Sequence, residues 1–177
     1  MHSYKQTKPS LLVFAETHSD AMLLLTHSKP QMMKLGGSLH FATSNIAKTD
    51  LNTSAIKIAV DSFHDFMVGR DYGMDPTPIT ASAEVLYAFD MVMQGTQSTA
   101  VLVTGSSSTV ALFALVSAAF LREIPILNVY LPGSITDLRR AQAIVAMSSV
   151  TLRNFDNGIL AKSVCDQLNE LLIDLYK

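Results

Sequence analysis

Charged side chains are scarce in this sequence, at 16% of its 177 residues, where a free-standing soluble domain carries roughly a quarter. The formal net charge is -2. That balance supplies no basic footprint for nucleic acid or for an anionic membrane surface, and neither partner is expected. Cysteine is nearly absent as well. The single Cys165 excludes an internal disulfide framework and suits a reducing compartment. It falls in a C-terminal helical pattern, as a core thiol does. Long apolar runs are missing too. The longest, Val110 to Leu121, is interrupted by Ser117 and followed by Arg122 and Glu123, short of the roughly 18 residues that span a bilayer. Met1 to Pro9 is polar and has the pattern of neither a signal nor a transit peptide, so a cytoplasmic protein is expected, with residues 1–9 as a tail and 10–177 as one domain. Against these absences stands 49% hydrophobic residues. With few charges to cover that apolar content, part of the surface is expected to be hidden in a homo-oligomer.

Strand and helix patterns alternate along the chain. Ser10 to Ala15 (SLLVFA) is a short continuous apolar run, as in a strand buried on both faces. Ser19 and Asp20 are candidate caps for a Met-rich helix from Ala21 to about Leu35, in which Pro30 predicts a break or kink. Gly36 and Gly37 end it, and Ser38 to Thr43 reads as a second strand. Residues 45–75 are the least legible, with Ala55 to Val60 either a strand or one flank of a helix. Thr77 is a candidate N-cap with Pro78 at the first helical position. Ile79, Ala83, Leu86, Phe89 and Met93 then follow at helical spacing up to Gly95. Thr99 to Thr104 is a buried strand, Ser107 to Leu121 a helix, and Ile124 to Tyr130 a strand. A helix over Asp137 to Ala146, a short strand from Ser149 to Arg153 and an amphipathic helix from Ile159 to Tyr176 close the chain. Strands separated by helices imply right-handed βαβ crossovers. The expected fold is therefore a Rossmann-like, doubly wound parallel sheet in three α/β/α layers, as a single domain.

In such a sheet ligands bind beyond the carboxyl ends of the strands, where the strand order reverses. Three polar loops lie at strand ends. In the loop Thr104, Gly105, Ser106, Ser107, Ser108, Thr109, the glycine permits a tight turn, and the hydroxyls precede a helix whose free N–H groups favour an anion such as a phosphate. The same residues serve equally as a plain helix cap. The loop lacks the lysine of a Walker A motif and the spacing of G-x-G-x-x-G. In the first loop, Glu16, His18 and Asp20 are candidate general acids and bases, against the plainer reading of a solvated loop. Gly133 and Ser134 form the third loop, and Arg139, which opens the next helix, is a candidate phosphate contact. His27, His40 and His64 have no partner identifiable by spacing. No metal site and no cofactor is indicated.

Four segments in order carry a family resemblance: VFAETHSDA, PITASAEVLYAF, VLVTGSSSTVALFALVSAAF and REIPILNV. Along residues 10 to 130 the chain resembles the N-terminal half of the non-hydrolysing UDP-N-acetylglucosamine 2-epimerases, two-domain proteins of the GT-B type. The resemblance implies a nucleotide-sugar ligand and an isomerase. It also implies losses. The family's Arg-Pro-Glu stands here as Thr17, His18, Ser19 and Asp20; its His-Gly-Asp as Thr104, Gly105 and Ser106; and its next glutamate as Tyr130. The family's second, nucleotide-gripping domain has no counterpart in the sequence. On that comparison the chain is a half degenerate at the catalytic positions, or one part of a split enzyme. Residues 75 to 153 are also similar in rhythm to the regulatory C-terminal domain of pyruvate kinases, which likewise implies an anion at Ser106 to Thr109. Two functions of different class are thus expected. One is a non-catalytic or split-enzyme module that binds a phosphorylated metabolite or nucleotide sugar and assembles into an oligomer. The other is an isomerase of nucleotide-sugar metabolism.

Overall fold

All six strands of the computed structural model run parallel in one sheet, in the order β3-β2-β1-β4-β5-β6. The structure describes residues 8–44, 51–66, 78–104, 109–130 and 138–153, together with 166, 167 and 170. The elements are β1 (Ser10–Phe14), α1 (His18–Lys34), β2 (Ser38–Ser44), α2 (Thr53–Ala59), β3 (Ser62–Phe66), α3 (Pro78–Thr96), β4 (Ala100–Thr104), α4 (Val110–Leu121), β5 (Ile126–Tyr130), α5 (Leu138–Met147) and β6 (Val150–Arg153). This is the expected three-layer Rossmann-like fold. The Thr77 cap and the turn around Gly133 lie outside the described residues. So does the closing helix, apart from Asp166, Gln167 and Glu170, which are helical.

The apolar runs are explained by burial on both faces. Every residue of β1 and of β4 is buried, because helices cover the sheet on either side. On one face α1 and α2 close over Leu11, Val13, Phe41, Leu102 and Leu127. On the other, α3, α4 and α5 close over Leu12, Phe14, Val101, Val103 and Ile126. Helix α4 sits in the middle of that second layer, and Ala111, Leu112, Ala114, Leu115, Val116, Ala118 and Ala119 are all buried. Burial inside the subunit thus accounts for most of its apolar character, while Phe120 and Leu121 at its end are exposed.

Two sequence readings are corrected, and one left open is decided. Pro30 does not break α1, which runs unbroken through it. The proline lies on the exposed side together with Thr26, the residue four positions back, so the carbonyl it leaves without an amide donor faces water. The cap of that helix is Thr17, whose Oγ1 accepts the Asp20 amide at 3.2 Å, rather than Ser19 or Asp20. Of the two readings of Ala55 to Val60, the helix holds: Thr53–Ala59 is helical, capped by the Asn52 side chain. A strand would place Ile56 and Ile58 on one face. The helix turns them apart, so Ile56 is buried and Ile58 is 85% exposed. The third strand, Ser62–Phe66, is a half-buried edge strand whose polar alternation hid it. There the histidines left without partners acquire them. His40 Nδ1 and His64 Nε2 both meet the Ser62 hydroxyl, at 2.7 and 2.8 Å, and burial holds both imidazoles below the usual histidine range.

At the amino edge of the sheet three helices end in the same lock. After α1 the Gly36 and Gly37 amides donate to Met33 and Met32, after α3 the Gln97 and Ser98 amides to Gln94 and Met93, and after α4 the Glu123 and Ile124 amides to Phe120 and Ala119. This is the Schellman arrangement, with a left-handed residue just past the helix. The φ values are 63° at Gly36, 50° at Gln97 and 58° at Glu123. The position after Gly36 requires glycine for a different reason. A Cβ on Gly37 would lie 2.5 Å from the Pro9 carbonyl oxygen and 2.6 Å from Met32 Cε. Met32 can swing aside, but the Pro9 carbonyl is fixed by the Ser38 amide at 2.9 Å. Gly37→Ala is therefore expected to cost about 1–3 kcal/mol as an overpacking change, read as a lower denaturant midpoint at unchanged slope.

Candidate active site

The strand order fixes where a ligand crevice opens. From β1 the chain moves outward through β2 to β3, then returns through α3 to place β4 on the other side of β1. The helices that follow β1 and β4 therefore cover opposite faces, which marks the topological switch point of this fold. Glu16 follows β1 and Thr109 immediately precedes α4.

These two side chains meet. The Thr109 hydroxyl donates to Glu16 Oε2 at 2.6 Å, and the Ser44 hydroxyl, from the end of β2, donates to Glu16 Oε1 at 2.5 Å. Thr109 also caps α4, its Oγ1 accepting the Leu112 amide at 3.2 Å. Each carboxyl oxygen is thus held by a hydroxyl from a different element. The carboxyl is pushed above the usual glutamate range, chiefly by burial; the two hydroxyl bonds pull the other way and Asp20 adds a push upward. A half-buried carboxyl at a switch point, clamped from both sides, has the equipment of a general acid or base.

The other expected site residues fare differently. Asp20, in the first turn of α1, acts on Glu16 through its charge. His18 turns away along α1, its Nδ1 3.4 Å from the Asn52 amide. Thr104 is buried at the end of β4 and Arg139 is exposed on the first turn of α5. Gly105, Ser106, Ser107, Ser108, Gly133 and Ser134 lie outside the described residues. Among the described residues no three His, Cys, Asp or Glu side chains gather as metal ligands.

Sequence reasoning missed Ser44 and Asn128. Ser44 carries a faint signal, being a hydroxyl at the carboxyl end of the strand beside β1 and two positions past the inward Ala42. Asn128, in the middle of β5, is fully buried, and neither its Oδ1 nor its Nδ2 has a hydrogen-bond partner. It pairs in register with Val103, so it lies on the face covered by α3, α4 and α5. Helix α4, which Thr109 caps, lies on that same face.

No family model and no curated protein matches the chain. Solved structures do. A protein from Listeria monocytogenes described as a UDP-N-acetylglucosamine 2-epimerase superposes with a TM-score of 0.65 at 13% identity, over 92% of this chain and 43% of that one. The UDP-GlcNAc 2-epimerase of Methanocaldococcus jannaschii gives 0.60 at 13% identity, again over 92% and 43%. The Neisseria meningitidis UDP-GlcNAc 2-epimerase, solved bound to UDP-GlcNAc, gives 0.59 at 16% identity over 86% and 42%. The chain spans less than half the length of each of these structures, and what it shares with them is the Rossmann-like α/β fold of one part of an epimerase.

Proposed function

We propose that this domain binds a nucleotide sugar at the carboxyl edge between β1 and β4, as one half of a site of the 2-epimerase kind. The observation that carries the reading is the half-buried Glu16, clamped by Ser44 and Thr109 at the switch point. Two facts support it from outside the cluster: the strand order, whose switch point lies there, and the nucleotide sugar held by a protein of the same fold. Of the two functions expected from sequence, the isomerase relation is the better supported. A carboxyl partly shielded from water and able to exchange a proton is what epimerisation of a sugar carbon requires.

The test is a melting series with UDP-N-acetylglucosamine, UDP and N-acetylglucosamine 1-phosphate. A ligand at a hundred times its dissociation constant stabilises the folded state by about 2.7 kcal/mol, and for a domain of this size each kcal/mol raises Tm by roughly 2–4 °C. UDP-N-acetylglucosamine is expected to give the largest shift. Incubation in deuterated buffer then asks whether the sugar exchanges a carbon-bound proton. A melting temperature unmoved by all three ligands would remove the reading.

A further inference from the structure

In the second helix layer α3 and α4 lie side by side, and Asp90 of α3 pairs with Arg122, the residue that caps α4. That pair brings the turn of α3 around Asp90 beside the last turn of α4. Within one helical turn of it four large apolar side chains are exposed: Tyr87, Met91, Phe120 and Leu121. Among the described residues these are four of the nine large apolar side chains left in the open. We propose that this outer face of α3 and α4 is the contact surface for a second copy of the chain, the two copies related by a two-fold axis.

Charge selects the occupant. Over their whole length α3 and α4 carry two charged side chains, Glu84 and Asp90, and Asp90 is already neutralised by Arg122. A strongly acidic or basic partner finds little here to meet. A copy of the same face does better, because closing over the ion pair strands neither charge: each keeps the partner it has. The exposed methionines of the opposite layer fail this test. Met22 and Met33 share a groove along α1 with Lys29 and Lys34, and no acid is among its lining residues. Two copies meeting there would bring like charges together. Size also fits the α3–α4 face. The helices, of 19 and 12 residues, are about 28 Å and 18 Å long and about 10 Å wide. With its side-chain relief that strip approaches the roughly 800 Å² per partner of a standard interface. Tyrosine, phenylalanine and methionine are the residue types enriched at the centre of such contacts. Phe120 and Leu121 close α4 at the amino edge of the sheet, away from Glu16 and Thr109. The inference therefore stands apart from the nucleotide-sugar reading.

Sedimentation equilibrium of the full chain over about 1–100 µM is the test, the weak end of what an interface of this size gives. Wild type is expected to approach twice its mass of 19.2 kDa within that range. Leu121→Lys puts two like charges into the contact, one from each copy, and should weaken association about tenfold or more. Met91→Lys should do the same from the other helix. Met33→Lys is the matched control: Met33 and Leu121 are both 72% exposed, but Met33 lies on α1, and its variant should associate like wild type. All three positions reach solvent, so the variants should melt like wild type under conditions where each is monomeric, and a melting curve of each checks this. A chain that stays monomeric at the highest concentration would overturn the proposal, whatever else that face binds. So would growth beyond a dimer, a dimer that survives both Leu121→Lys and Met91→Lys, or one lost in Met33→Lys.

Discussion

Phe89→Ala is expected to cost about 3–5 kcal/mol, a large share of the roughly 5–15 kcal/mol that holds a domain of this kind together. Phe89 is fully buried on α3. Its ring stands edge-on to Phe14 of β1 at 5.4 Å and to Phe66 of β3 at 4.7 Å. One side chain thus ties the crossover helix both to the strand it left and to the strand beside which the next one enters. Truncation opens a cavity whose walls belong to three different elements, so no single element can shift to fill it. Equilibrium urea unfolding checks the size. Phe89→Leu, which keeps most of the volume and loses only the edge-on contacts, should recover most of the loss. A cost under about 1 kcal/mol for the alanine variant would mean that α3 is not anchored to the sheet through this ring.

The second large effect has the opposite sign. Asn128→Leu is expected to stabilise the domain by about 1–3 kcal/mol, because the folded protein buries an amide that water satisfies in the unfolded chain. Leucine is close in shape, and its neighbours on that face are Val103 and Ile126. Denaturant midpoints for the two proteins, compared at equal slope, measure the difference. Destabilisation would show that the amide has a partner in solution, a buried water being the simplest. The variant is also informative for function. If stability rises while affinity for UDP-N-acetylglucosamine falls, the domain retains a costly polar group for the sake of its ligand, as functional sites often do.

The fold was legible because its central strands are buried on both faces, which writes SLLVFA and TAVLVT as unbroken apolar runs. The edge was not. Ser62–Phe66 reads S-F-H-D-F, and alternation over five residues beside a short helix leaves no run to notice. Pro30 misled for a related reason: the sequence shows a proline within a helical pattern, but not which side of the helix meets water. At the site, Glu16 and Thr109 were both picked out, but from different loops and for different chemistry, one as an acid and the other as part of an anion-binding turn. Only three-dimensional proximity makes them one unit. Ser44 completes it from a third element, 28 residues along the chain from Glu16, and nothing local in the sequence links the two.

The locks at the amino edge have a consequence for how this domain can change. Every return from helix to strand takes two to four residues, whereas the connections from strand to helix on the opposite edge run from three to eleven. With the returns so short and three of them closed by paired amides, the strand register is set from one side alone, as a comb is held by its spine. Insertions within residues 45–50, 67–77 or 131–137 should leave the strand pairing untouched. A library of such loops grafted onto this spine would vary recognition without having to solve the folding problem again, whereas a single residue inserted between Leu35 and Ser38 would turn β2 over.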